Sequence, residues 1–124
     1  MPTGARRASL SVWNRPDPCE HAFVTSQGHA HARLRRALLT KNLKLIEAAS
    51  RELQHVGLDD ALRVLVVFAE RRDARYERAA TRFAARVMLE RRLGVAEARY
   101  VLALAEALPR APEAVALLLR PYCG

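Results

Sequence analysis

The sequence predicts an all-α protein, and three observations carry that prediction. From about Gly28 onward the apolar residues recur at helical spacing. Ala, Leu, Glu and Arg dominate, and the alternation of a half-buried strand is absent. The chain also repeats itself: Gly57-Leu58-Asp59-Asp60-Ala61 returns 37 residues later as Gly94-Val95-Ala96-Glu97-Ala98, with Val64-Leu65 matching Val101-Leu102 and Ala79 matching Ala116. Each copy reads as a helix start, with Gly at the N-cap and an acid three residues on, near the exposed first-turn amides. A period of this size suits helical hairpins that bury their apolar faces on one another. The expected fold is about six helices in three antiparallel hairpins, arranged as a compact helical array or an orthogonal bundle.

Residues 1–27 read as a disordered tail ahead of a single domain over 28–124. Pro2, Gly4, Pro16 and Pro18 are scattered among Ser, Thr, Asn and Asp, with no period. Helices are then predicted over 30–39, 42–54, 58–71, 73–92, 95–108 and 112–120. In the second, Leu43, Ile46, Ser50 and Leu53 mark one face, with Ala49 beside them. The third carries Ala61, Leu62, Leu65, Val66 and Ala69 on one side and Val64, Val67 and Phe68 on the other. Arg63 is the lone charge between Ala61 and Ala69. A helix apolar nearly all round belongs in the middle of the fold, so this segment is expected to be the most buried. Pro109 follows the fifth helix, Pro112 suits the first turn of the sixth, and Pro121 ends it.

Composition narrows the function. The chain of 124 residues is 51% hydrophobic and 27% charged, ordinary values for one folded domain. Two cysteines, Cys19 and Cys123, do not make a disulfide framework, so a reducing compartment, the cytoplasm, is expected. No apolar run approaches the ~20 residues of a membrane span. The formal charge is +8, concentrated in two segments: residues 33–53 carry six bases against two acids, and residues 71–92 eight against three.

The fourth helix holds the candidate site. At 100° per residue, Arg75, Arg78, Arg82 and Arg86 fall within about 80° of one another, along a stripe roughly 16 Å long. Tyr76, Ala79, Ala80, Phe83, Ala84 and Val87 occupy the opposing, buried arc. Four guanidinium groups in a row suit carboxylates or phosphates. An acidic protein partner is the leading expectation, with nucleic-acid phosphates or a homo-oligomeric role through the apolar end Val115–Leu119 as alternatives. Aromatic residues that would stack on bases fall on the buried side, which lowers the case for single-stranded nucleic acid. The plain alternative is a solvated basic face with Glu90 paired to Arg86.

Other constellations carry less. Met88–Val95 has the Leu-Gly-Val of a helix-turn-helix turn, but Glu90 and Arg99 stand where that motif needs small or buried residues. Cys19, His21, His29 and His31 are metal-ligand types at a spacing that matches no common zinc site, so no metal is expected. Asp59-Asp60 reads as helix capping rather than a catalytic pair. His55 has no carboxylate partner at a helical spacing, and neither cysteine has a nearby base. No enzyme and no cofactor are predicted. Trp13, the lone tryptophan, is an anchor-type residue in the tail.

The tokens Arg36-Ala37-Leu38, Asn42, Asp60-Ala61-Leu62 and Arg75-Tyr76-Glu77-Arg78-Ala79-Ala80 resemble a group of small Arg- and Ala-rich helical proteins of high-GC bacteria. The resemblance implies a fold and no function. The hairpin period is similar to tetratricopeptide and HEAT arrays in architecture only, because the Trp, Gly and Tyr of the tetratricopeptide signature are missing.

Overall fold

The computed structural model of the protein describes residues 18–53 and 55–124, with side chains from residue 28 onward. The described residues form six α-helices and two short 3₁₀ turns, with no strand among them. The helices are α1 (Pro18–Thr40), α2 (Leu43–Glu52), α3 (Leu58–Glu70), α4 (Tyr76–Glu90), α5 (Val95–Ala107) and α6 (Pro112–Leu119). The 3₁₀ turns are Leu108–Arg110 and Arg120–Tyr122.

The largest departure from expectation is α1. Residues 18–27, assigned above to the tail, are helical. Proline is favoured at a first helical position, and Gly28 weakens a helix interior by only about 1 kcal/mol, too little to stop it. Residues 1–17 lie outside the described residues, and with them Trp13.

The repeat is realised as helix starts. Gly57 and Gly94 occupy the N-caps of α3 and α5, both with extended backbone (φ −64° and −78°). Asn42 caps α2 by accepting from the Leu45 amide at 3.2 Å. Three helices end by a different rule. Lys41, Arg72 and Arg92 follow α1, α3 and α4 in the left-handed region, with φ of 55°, 52° and 53°. Asn42, Asp73 and Leu93 then donate amides to Ala37, Phe68 and Met88, closing the last turns as Schellman motifs. A left-handed residue with a Cβ costs roughly 1 kcal/mol. Arg92→Gly is therefore expected to raise stability by about 0.5–1 kcal/mol, read as a higher midpoint in urea at unchanged slope.

Packing produces two cores that share one wall. The larger lies among α3–α6 and includes Leu62, Leu65, Phe83, Val87, Val101 and Leu119. The smaller is built by Leu34, Leu38, Ile46 and Leu53 of the α1–α2 region around Val67 of α3. α3 contacts α1, α2, α4 and α6. Leu65 and Val67, at 1% and 3% exposure, face the two cores. The near-continuous apolar surface of residues 58–70 thus has its explanation: both sides are used. α6 returns to pack on α3, which closes α3–α6 into a compact bundle. Val64 is half-buried, and Phe68 packs on the larger core.

Two side-chain hydrogen bonds satisfy buried oxygens, and the first repairs backbone that proline leaves open. Proline at 109 has no N–H for the carbonyl of Ala105, four residues earlier. The buried Tyr76 hydroxyl donates to that oxygen at 2.5 Å. Asp60, the single buried charged residue among those described, lies in the first turn of α3 and accepts from Arg63 Nη1 at 3.1 Å. A carboxylate is favourable there because it faces the positive end of the helix.

Candidate functional site

The stripe on α4 divides into two fold-bound and two uncommitted arginines. Arg75 stands at the start of the helix, in the turn where Asp73 folds back on the chain. Asp73 Oδ1 accepts from the Arg75 amide at 2.8 Å and from Arg75 Nε at 2.9 Å, while Oδ2 accepts from Nη2 at 2.9 Å. Arg75 Nη1 donates to Glu47 Oε2 of α2 at 2.6 Å. Its guanidinium carbon lies 5.0 Å from the Phe68 ring centroid on α3. One side chain thereby joins α2, α3 and the α3–α4 turn. A planar guanidinium serves this task because it donates in several directions at once.

The same geometry sets the Asp73 carboxyl. The side-chain hydrogen bonds from Arg75, then its amide and its charge, hold the pKa at about 2. A folded pKa below the unfolded one adds stability above about pH 4, and that stability is lost as pH falls through about 2. Asp73→Asn is expected to flatten the fall in stability between these limits, as measured by acid unfolding at low salt.

Arg86 is also occupied. Its Nε donates to Glu90 Oε2 at 2.9 Å, one turn on. Its Nη2 lies 3.4 Å from His55 Nε2 in the α2–α3 connection. A guanidinium only donates, so the His55 nitrogen is the acceptor. The expectation that all four arginines serve a partner is therefore revised: Arg75 and Arg86 are tied into the fold.

Arg78 and Arg82 are different. Both are exposed and neither has an ion pair among the described residues. With Glu77 and Thr81 they line a shallow depression of 520 Å³. Helical geometry puts Ala85 and Leu89 on the same arc, and Leu89 is 78% exposed. The outward face of α4 is thus a basic pair followed by an uncovered apolar residue. Tyr76 and Phe83 lie on the opposite, buried side, at 6% and 3% exposure.

The remaining candidates are dispersed. Glu90 and Arg99 are both exposed, which suits the plain α4–α5 hairpin and leaves the helix-turn-helix frame without its buried positions. His29 and His31 sit two residues apart on α1, where helical spacing turns them about 200° from each other. The side chains of Cys19 and His21 lie outside the described residues. Cys123 is a buried free thiol whose pKa is pushed up to about 11, chiefly by burial and then by the Asp59 charge. Such a thiol is inert as a nucleophile near neutral pH. Of the apolar end 115–119, Ala116 and Leu119 are consumed by the core, while Leu117 and Leu118 remain exposed.

A second concave feature was not anticipated. α1 and α6 both rest on α3, and between them runs a groove of 1030 Å³. Leu62 and Val66 of α3 line it together with Leu38 and Leu39 of α1 and Leu117 of α6. Adjacent leucines in α1 have opposite fates: Leu38 is 9% exposed and Leu39 84%.

Among the described residues no helix is long and apolar enough to cross a membrane. No family model matches the chain, and no match is found among the curated proteins or the solved structures.

Proposed function

We propose that the protein is a non-enzymatic helical interaction module, acting in the cytoplasm, that binds an acidic protein partner through the outward face of α4. The observation that carries this is the pair Arg78 and Arg82, exposed and free of ion pairs among the described residues, beside the uncovered Leu89. Basic groups next to an apolar residue suit a protein surface, where charge steers the encounter and apolar contact holds it. Nucleic acid is the weaker reading, since the aromatics of α4 face inward and leave no stacking platform beside the basic pair. The net charge of +8 supports attraction to an anionic surface of either kind.

The test is capture of partners from the native host by wild type and by Arg78→Glu/Arg82→Glu. The double variant is expected to lose the partner while its circular dichroism stays that of the wild type. A partner held by an apolar centre should also survive moderate salt. Binding to duplex phosphates would instead fall with a slope near −0.9 per phosphate neutralised. A folded variant that retains every wild-type partner would remove α4 as the docking face.

A further inference from the structure

We propose that the outer side of α5 is a self-association face, and that its occupant is a second copy of this chain, packed antiparallel across a two-fold axis. The site shares no residue with the α4 face. α5 is more apolar than one buried side requires. Of residues 95–107 only Glu97, Arg99 and Glu106 are charged, and the others are apolar. A helix apolar nearly all round belongs inside a fold. α3 meets that rule, with α1, α2, α4 and α6 around it. α5 buries Val101, Leu104 and Ala105 in the larger core, beside α4 and α6, and leaves its other side uncovered. Val95 there is 76% exposed and Leu102 48%.

The order of charges along that side selects a second copy. At 100° per residue, Val95, Arg99, Leu102 and Glu106 fall within about 60° of one another. Arg99 and Glu106 are exposed, and neither has an ion pair among the described residues. Both lie equally far from a midpoint between Leu102 and Ala103. A two-fold axis through that midpoint, perpendicular to the helix, lays α5 antiparallel on its copy. Arg99 of each copy then faces Glu106 of the other, so the ion pair forms twice. The two Leu102 side chains meet beside the axis, and the small Ala103 side chains let the backbones approach. A wholly acidic partner surface would repel Glu106, and a wholly basic one would repel Arg99. α5 laid in reverse satisfies both.

The rest of the charge agrees. Residues 93–124 hold three bases and three acids, so the whole +8 lies in residues 1–92. Two copies that meet through α5 therefore join at their neutral part. Two α4 faces would instead set Arg78 and Arg82 against their own like. α6 repeats the spacing with Glu113 and Arg120, but Ala116 between them is buried and the α-helix ends at Leu119. No straight exposed face connects that pair. α5 has 13 residues, a length of about 20 Å. A seam that short stands at the small end of specific interfaces, so the dimer is weak and reversible.

The experiment is sedimentation-velocity ultracentrifugation of the full chain at physiological salt, from about 10 µM to about 1 mM. The wild type is expected to pass from monomer to dimer within that range. Arg99→Glu and Glu106→Arg should each weaken the dimer at least tenfold, because each sets like charges across the seam twice. The first lowers the +8 of the chain by two and the second raises it by two, so general repulsion between copies would shift them in opposite directions. Arg99→Glu/Glu106→Arg should restore wild-type association, and an equimolar mixture of the two single variants should form a heterodimer. Both residues are exposed, and the changes place acid nearer the helix start and base nearer its end. Circular dichroism and thermal melts should therefore stay those of the wild type. Leu117→Asp and Arg78→Glu/Arg82→Glu should still dimerise, whatever becomes of the α4 partner. The proposal is overturned if the wild type stays monomeric to about 1 mM, if either single variant dimerises as the wild type does, or if the swapped pair does not recover. It is also overturned if Leu117→Asp or the α4 pair abolishes the dimer.

Discussion

Leu65→Ala should lower the stability of the protein by about 3 kcal/mol, the usual cost of removing a fully buried leucine and leaving a cavity. Leu65 is 1% exposed and belongs to the larger core, on the helix whose Val67 completes the smaller one. The consequence reaches beyond one site. Because α3 is the wall common to both cores, loosening it should weaken α1–α2 as well as α4–α6. Chemical denaturation followed by far-ultraviolet circular dichroism should move to lower denaturant as a single transition with unchanged slope. A variant in which α1–α2 stays protected from hydrogen exchange while α4–α6 opens would show two independent units, and would refute the shared-wall arrangement.

Tyr76→Phe should cost about 2 kcal/mol, although it removes only one oxygen. The Tyr76 hydroxyl is the donor to the Ala105 carbonyl, and proline at 109 leaves that carbonyl without its helical amide. Losing the donor strands a buried acceptor, which costs the desolvation of the group rather than the smaller net value of an ordinary hydrogen bond. The ionisation of Tyr76 gives an independent check. Burial, and secondarily the Glu77 charge, push its pKa up to about 12. A phenol whose folded pKa exceeds the unfolded value of about 10 contributes stability that is complete below pH 10 and lost as pH rises through about 12. The phenylalanine variant should therefore be less stable at neutral pH and show a shallower alkaline decline. An equally steep decline in the variant would assign the alkaline sensitivity elsewhere.

The sequence displayed the helices that use a regular apolar period and hid the features made by distant partners. Gly57, Gly94 and Pro112 marked three helix starts correctly, and the two-sided apolar surface of residues 58–70 placed α3 at the centre. Helix ends at Lys41, Arg72 and Arg92 were less legible, because a basic side chain in a left-handed turn has no glycine to announce it; α4 consequently begins three residues later and ends two earlier than its period suggested. The stripe on α4 was legible as geometry and illegible as chemistry. Glu47, 28 residues before Arg75, engages that arginine in an ion pair, and no local spacing predicts it. The groove was hidden for the opposite reason. Leu38 and Leu39 look alike in sequence, yet Leu38 packs into the smaller core while Leu39 stays uncovered on the wall of the groove between α1 and α6.

The central claim is that α4 gives two arginines to the fold and keeps two for a partner. Thermal unfolding of two charge-reversal pairs tests it most directly. Arg78→Glu/Arg82→Glu should melt within about 3 °C of wild type, as surface substitutions do in a domain of this size. Arg75→Glu/Arg86→Glu should melt clearly lower, because it places acids against Asp73, Glu47 and Glu90. If the first pair lowers the melting temperature as much as the second, Arg78 and Arg82 are structural, and α4 has no face left to offer.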